Sequence, residues 1–454
     1  MKSFEFCGEV FTDNGPAIRN CNVKVRVASD GSVEGVLTSQ QFLSSDLFEH
    51  SQLTIRGVCS DDTTIEITDA FVTNLAIGNN NSLTFRAHFL KAVPSSSASV
   101  PQTAAYEYQL TNLLFSGVEI TETNTDEGTS WSKDKLRFFC ENYLCVLQQV
   151  EDYDEIVREA RNLKGTVITS TLTISSSDGD GDDLDAEKTD AFCDAICELL
   201  SFATANTVCW VQRTRLGMGG DALQRYSRTV GKLSPLRSGW SLIPNWVSMK
   251  DGTARSELAY FMGSVSPLYV RTLRGTGLGL VLAWIVDSEH QGTIDMQYIA
   301  AFIAIERLRA KFLDRARVPA AITADWQEHV DNGMGDRIIE VVEEIIGPLE
   351  GQQKKLIISK VRSANNPPAA LELQALCQQL GVAGFEKDMG ELRSKLVHTG
   401  TFGDYDFPDA VQLLKKLSHI IAVCVLKLLQ FDGYYHHWDT GWRLVPLKEH
   451  TSQE

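Results

Sequence analysis

From Ile294 onward the apolar residues of this chain recur at every third or fourth position, where its first ninety residues repeat them at every second. That change restricts the fold more than any single motif. A period of two lays one face of an extended strand against a core, whereas a period of 3.6 lays one stripe of a helix against it. Before residue 94, Val23, Val25 and Val27 alternate with Lys24 and Arg26, Ile65 and Ile67 flank Glu66, and Leu83 and Phe85 flank Thr84. Asp13-Asn14-Gly15, Asp30-Gly31 and Gly78-Asn79-Asn80-Asn81 punctuate these runs with residues that favour turns. A mainly antiparallel β region is expected there.

Residues 94 to 103, rich in Ser and Pro, read as a connector. The stretch that follows is mixed. It suggests a strand from Tyr106 to Leu114, helices near Asp134 to Gln149 and Asp152 to Leu163, a strand from Thr166 to Ser175 and a helix from Ala186 to Ala203. Trp210, Trp240 and Trp246 mark a further strand-and-loop section. Beyond Ile294, Met296, Ile299, Ala300, Ile303 and Leu308 form one helical stripe, and Ile338, Ile339, Val342, Ile345 and Ile346 form a second. Leu356 to Val361, Ala370 to Leu380, the segment around Arg393 and Asp409 to Gln430 supply the remaining helices. The expected class is α+β: a β-rich domain over residues 1–130, a mixed α/β continuation over 131–285 and an all-α helical bundle over 286–440.

A net charge of −17 opposes non-specific binding to a polyanion, so any nucleic-acid contact must be local. Arg307, Arg309, Lys311, Arg315 and Arg317 form one basic stretch, and Lys354, Lys355, Lys360 and Arg362 form another. Each reads either as a solvated helix face or as the lining of a groove. Ten cysteines without a Cys-x-x-Cys pair point to reduced structural thiols rather than a zinc ribbon. The apolar runs Leu278 to Val286 and Ile420 to Leu429 are too short or too interrupted to span a bilayer. Met1-Lys2-Ser3-Phe4-Glu5 opens a strand pattern rather than a secretory signal, so a cytoplasmic protein with no membrane partner is expected.

Several motifs fall short of the chemistry they suggest. Ser177 to Asp183 opens like a calcium loop, but Asp183 and Thr189 occupy positions that need Gly and a bidentate Glu. Arg274-Gly275-Thr276-Gly277-Leu278-Gly279-Leu280 looks like an ATPase glycine box without its partner acidic box, and reads as an inter-domain turn. His436 and His437, among Tyr434, Tyr435 and Trp438, read as a cap on the bundle.

The segment Leu392-Arg393-Ser394-Lys395-Leu396-Val397-His398-Thr399-Gly400 carries chemistry more directly. Arginine stays charged at physiological pH and grips phosphate with a two-pronged donor geometry, while histidine gives and takes a proton near neutrality. Met389, Leu392 and Leu396 step by three and four, which places both residues on a helix with a buried stripe; Gly400 predicts its end. A second arginine followed closely by a histidine, Arg443 and His450, lies in a Pro-interrupted tail with no apolar period, and reads as accidental.

With its trailing Gly, the long helix that follows and Ile305-Glu306-Arg307-Leu308 on an early helix, this segment resembles the HEPN superfamily, specifically the ApeA-type HEPN domain of bacterial anti-phage defence. Ser394 stands where that family usually has Asn, Asp or His. The resemblance implies a HEPN helical bundle and metal-independent endoribonuclease activity on RNA, transfer RNA included, with no cofactor. It implies Arg393 and His398 as catalytic residues, with Ser394 and Glu306 in support, and a homodimer through the bundle. Arg307, Lys311, Lys354, Lys355 and Lys395 are the cations expected to meet the RNA backbone. The N-terminal region would act as sensor or regulator, with a phage-derived trigger. The alternative is a non-catalytic sensor or adaptor that binds a phage or host partner.

Overall fold

The computed structural model describes residues 2–12, 15–28, 30–40, 52–76, 81–94, 102–125, 128–163, 165–177, 184–230, 234–236, 241–244, 247–250, 253–315, 318, 326–364, 367–383, 385, 387–399, 402, 405–437 and 443–447. The chain divides into two compact units. The first comprises Met1–His290, Leu429–His437 and Trp442–Leu447, and the second is built on Gln291–Leu428.

The first unit begins with six antiparallel strands: β1 (Lys2–Thr12), β2 (Gly15–Val27), β3 (Val33–Ser39), β4 (Leu53–Cys59), β5 (Thr64–Ala76) and β6 (Asn81–Val93). They close into a barrel in the order β3-β2-β1-β4-β5-β6, because β6 also pairs with β3 over Asn81–Ala87. The alternation read from the sequence is what fills it. Val23, Val25, Val27, Ile65, Ile67, Leu83 and Phe85 are all buried, and the intervening Lys24 and Arg26 are exposed. The turn expected at Asp30-Gly31 is present, with Gly31 at φ 79° and the Asp30 carboxylate accepting from the Ser32 amide at 2.9 Å. Closure also depends on Gly35, which lies opposite Phe85 in the β3–β6 ladder and where a Cβ would run into the Phe85 ring. Replacing Gly35 by Val should overpack the barrel and cost about 2 kcal/mol, read as a lower denaturant midpoint.

Past Ala87, β6 leaves β3 and pairs with β13 (Ala222–Arg228) over Phe89–Ala92, which carries the barrel into an open sheet. That sheet continues through β12 (Trp210–Gly217), β7 (Thr103–Thr111), β11 (Ile168–Ser176), β10 (Tyr143–Gln149), β9 (Gly128–Cys140) and β8 (Glu119–Thr125), every pair antiparallel. Two expectations are corrected here. The boundary at residue 130 falls inside β9, and 1–130 is not a separate domain because one run of hydrogen-bonded strands passes through it. The helix expected over Asp134 to Gln149 is instead the β9–β10 hairpin. Leu136, Phe138, Cys140, Cys145 and Leu147 are buried with a period of two within each strand, and Glu141 takes a left-handed turn at φ 55°.

Helix α1 (Tyr153–Leu163) buries Val157 and Ala160 against Leu236. Helix α2 (Ala186–Thr204) packs on both α3 (Glu257–Leu268) and α4 (Leu278–His290), and α3 lies on β9. The side chain of Asp185 caps α2 by accepting from the Lys188 amide. Three carboxylates four residues apart along α2 tie it down. Asp190 pairs with Arg213, Asp194 with Arg228 at 2.6 Å, and Glu198 with Arg274 at 2.9 Å. Each also accepts from an aromatic donor: Tyr108 Oη at 2.8 Å, Trp210 Nε1 at 2.9 Å and Tyr269 Oη respectively. The glycine box around Arg274 is therefore a pinned turn inside the first unit, between a π-helical turn after α3 and the start of α4, not an inter-domain turn.

The second unit is helical: α5 (Ile294–Phe312), α6 (Trp326–His329), α7 (Gly335–Ile346), α8 (Gly351–Ser363), α9 (Ala369–Gln379), α10 (Lys387–Thr399) and α11 (Phe407–Leu428). Helix α5 touches α9, α10 and α11, so more of its surface is covered than one stripe. Of the predicted stripe, Ala300 and Leu308 are buried and Met296 is exposed, while Tyr298, Phe302 and Ile305, outside it, are buried as well. On α7 the period is present but the burial is not, since Ile339 is buried while Ile345 and Ile346 are exposed. The expected end of this unit near residue 440 is also corrected. Leu429–His437 returns to the first unit, where β16 (Tyr434–His437) pairs with β17 (Arg443–Pro446) and the His436 amide donates to the Leu242 carbonyl at 2.8 Å. His436 and His437 are thus buried in the first unit rather than capping the bundle. Trp240, Trp246, Trp438, Arg317, His450 and the Asp178 to Asp183 loop lie outside the described residues. No helix among the described residues is long and apolar enough to cross a membrane.

Candidate functional site

Helix α10 is held by three residues of the predicted stripe, Met389, Leu392 and Leu396, all buried. Burial of such side chains contributes about 1.5–3 kcal/mol each, enough to fix which face of a 13-residue helix turns inward. A polar tie adds to this: the Tyr298 hydroxyl on α5 donates to the Met389 carbonyl at 2.7 Å. Burial pushes the Tyr298 phenol well above the usual tyrosine range, so it keeps the proton that bond needs. Tyr298→Phe should cost about 1 kcal/mol, with hydrogen exchange accelerated mainly at the α10 amides.

Arg393 leaves this face half-buried, with its guanidinium carbon 5.7 Å from the centre of the Phe302 ring. Phe302 in turn stacks on Tyr298 at 6.4 Å. An aromatic face attracts a cation without neutralising it, so the guanidinium keeps its charge and its donors. Arg213, Arg228, Arg274 and Arg309 are each held by a carboxylate. Among the described residues Arg393 is in no ion pair. Lys395 is half-buried, its ammonium 5.1 Å from the Tyr405 ring centre, and Ser394 is exposed.

His398 lies in the last turn of α10, and its side chain is outside the described residues. Five residues of helix separate the two positions by about 140° and about 7.5 Å along the axis. The helix ends at Thr399.

Glu306 does not hold Arg393. Its carboxylate is taken by Arg309 one turn along α5, at 2.6 Å, and Arg309 reaches on to Glu372 of α9. The reason is helical spacing: positions three apart on one face lie within reach of each other, so Arg309 satisfies Glu306 locally. Arg307 and Lys311 are exposed and four residues apart on α5. On α8, Lys355 is exposed, whereas Lys354 is paired with Glu343 of α7 at 2.8 Å. The structure thus brings Arg393, Phe302 and Tyr298 together and leaves Glu306 and Lys354 with other partners. Phe302 and Tyr298 were missed in the sequence. Their signal is the helical spacing Tyr298, Phe302, Ile305, which competes with the equally regular but less buried Met296, Ile299, Ile303.

Among the described residues no group of His, Cys, Asp and Glu side chains is arranged to hold a metal ion. Residues 102–211, about a quarter of the chain, match the family model described as YopA central domain. That segment runs from β7 through β11, with α1 and α2, to the first two residues of β12, and contains the three-carboxylate face of α2. No curated protein and no solved structure matches the chain.

Proposed function

We propose that the protein is a metal-independent endoribonuclease of the ApeA-type HEPN kind, acting in anti-phage defence with RNA, transfer RNA included, as substrate. The observation that supports this reading most is Arg393, a half-buried guanidinium on the face of Phe302 that no described carboxylate neutralises. Such a group is ready to take a phosphate in bidentate fashion. In the proposed reaction a ribose 2′-hydroxyl gives its proton to a base and forms a bond to the adjacent phosphorus. The bond from phosphorus to the 5′-oxygen then breaks, and that oxygen takes a proton from an acid. The products are a 2′,3′-cyclic phosphate and a 5′-hydroxyl. Arg393 holds the charge that builds on the non-bridging oxygens, and His398 serves as base or acid. One chain supplies one His398 at this site, and a two-fold dimer supplies both proton-transfer partners. Ser394, exposed one residue beyond Arg393, would contact substrate, with Arg307, Lys311, Lys355 and Lys395 along the RNA backbone. Glu306 is left with a structural role through Arg309. The first unit would sense infection.

The test is the purified full chain with total RNA in EDTA, with and without lysate of phage-infected cells, beside His398→Ala. The expected result is cleavage that leaves cyclic-phosphate ends and falls at least about 100-fold in the variant. Unchanged cleavage by His398→Ala overturns the catalytic assignment. Absence of cleavage in every arm favours the non-catalytic sensor. Light scattering at micromolar concentration should give twice the 50.3 kDa chain mass, and a monomer removes the dimer from the mechanism.

A further inference from the structure

The first unit holds a cavity of about 310 Å³ between α2 and α4, lined by none of the residues of the proposed reaction. One wall is the face of α2 that carries Asp194, Cys197, Glu198 and Ser201; the other is the α4 face with Leu282, Ala283, Val286 and Asp287. The segment Thr207-Val208-Cys209 leading into β12 completes the lining, and Arg228 and Arg274 stand beside it. Its volume is at the small end of ligand sites.

The charges in the lining decide what such a ligand is. Arg274 is gripped by both oxygens of Glu198, at 2.9 and 3.1 Å, and gives a third bond to the Ala191 carbonyl at 2.7 Å. Arg228 is paired with Asp194 Oδ1, donates to the Trp210 carbonyl at 3.1 Å and lies over the Trp210 ring. Neither arginine offers a free positive charge to an anion. Acceptors, by contrast, are left over. Both bonds made to Asp194 fall on Oδ1, and Asp287 has no ion-pair partner among the described residues. The lining therefore carries three carboxylates against two guanidiniums, beside the apolar Val208, Leu282 and Val286. The Cys209 thiol is not poised for chemistry: burial pushes it up to about 12, and a protonated thiol is a poor nucleophile.

We propose that this cavity is a binding site for a small organic cation, an amine with a short apolar body. The ammonium sits against Asp287 and the free oxygen of Asp194, and its alkyl part lies on Val208, Leu282 and Val286. A protein with a net charge of −17 would also concentrate such cations near its surface.

Hexylamine and hexanoate have the same length and opposite charge, which makes them the probes. With the full chain at 0.3 M salt, to suppress non-specific attraction, titration calorimetry should show saturable one-to-one binding of hexylamine and none of hexanoate. Asp287→Asn should weaken hexylamine at least 10-fold, and Ala283→Trp, a change at an exposed α4 position, should block the cavity. The proposal is overturned by equal or tighter binding of hexanoate, by no binding of hexylamine, or by hexylamine binding that both variants leave intact.

Discussion

Lysine in place of Arg393 is expected to lower RNA cleavage by about 100-fold while leaving the melting temperature within a few degrees. The substitution keeps the positive charge and most of the stem, and loses the planar fork that fits two phosphate oxygens at once. It also replaces a flat group over the Phe302 ring by a more strongly hydrated point charge. A single-turnover rate separates this effect from RNA binding. Full activity in Arg393→Lys would mean that charge alone suffices, and would sink the two-pronged phosphate grip. Full activity in Arg393→Ala as well would remove the residue from the reaction.

The largest effect on stability is expected from Asp190→Ala. Its partner Arg213 is almost fully buried, with its guanidinium between the Tyr106 and Tyr226 rings at 5.3 and 5.0 Å. Removing the carboxylate leaves that charge unpaired and strips the Tyr108 hydroxyl of its acceptor. Breaking a buried pair in this way costs about 3–5 kcal/mol, because the surviving ion has lost both water and its partner. The double variant Asp190→Ala with Arg213→Met should recover much of the loss, since no buried charge is left over. Denaturant midpoints of the two variants check this. A loss under about 1 kcal/mol in the single variant, or a double variant as unstable as the single, would show that the pair does not anchor α2.

How much of this was legible beforehand differs from element to element. The barrel strands were readable because Val23, Val25 and Val27 face a core on one side and water on the other. The β9–β10 hairpin was misread because Phe139, on the outer face, is exposed although apolar. With both faces apolar, the period of two is masked in Leu136-Arg137-Phe138-Phe139-Cys140. Helix α10 was readable through Met389, Leu392 and Leu396, while the side of α5 that packs was not. Several neighbours cover α5, and a second, equally regular stripe lies beside the buried one.

The switch from a period of two to a period of 3.6 thus follows from the sequence by itself, and so does the placement of Arg393 and His398 on one amphipathic helix. Both depend on residues a few positions apart, whose geometry the backbone fixes. Tertiary structure decided the rest. It closed the barrel through β6 and then led β6 on to β13. It matched Asp190, Asp194 and Glu198 with arginines 23, 34 and 76 positions away. It gave Glu306 to Arg309, and placed Arg393 over Phe302 with no described carboxylate beside it. Which charge meets which depends on how distant segments pack, and local spacing does not record that choice.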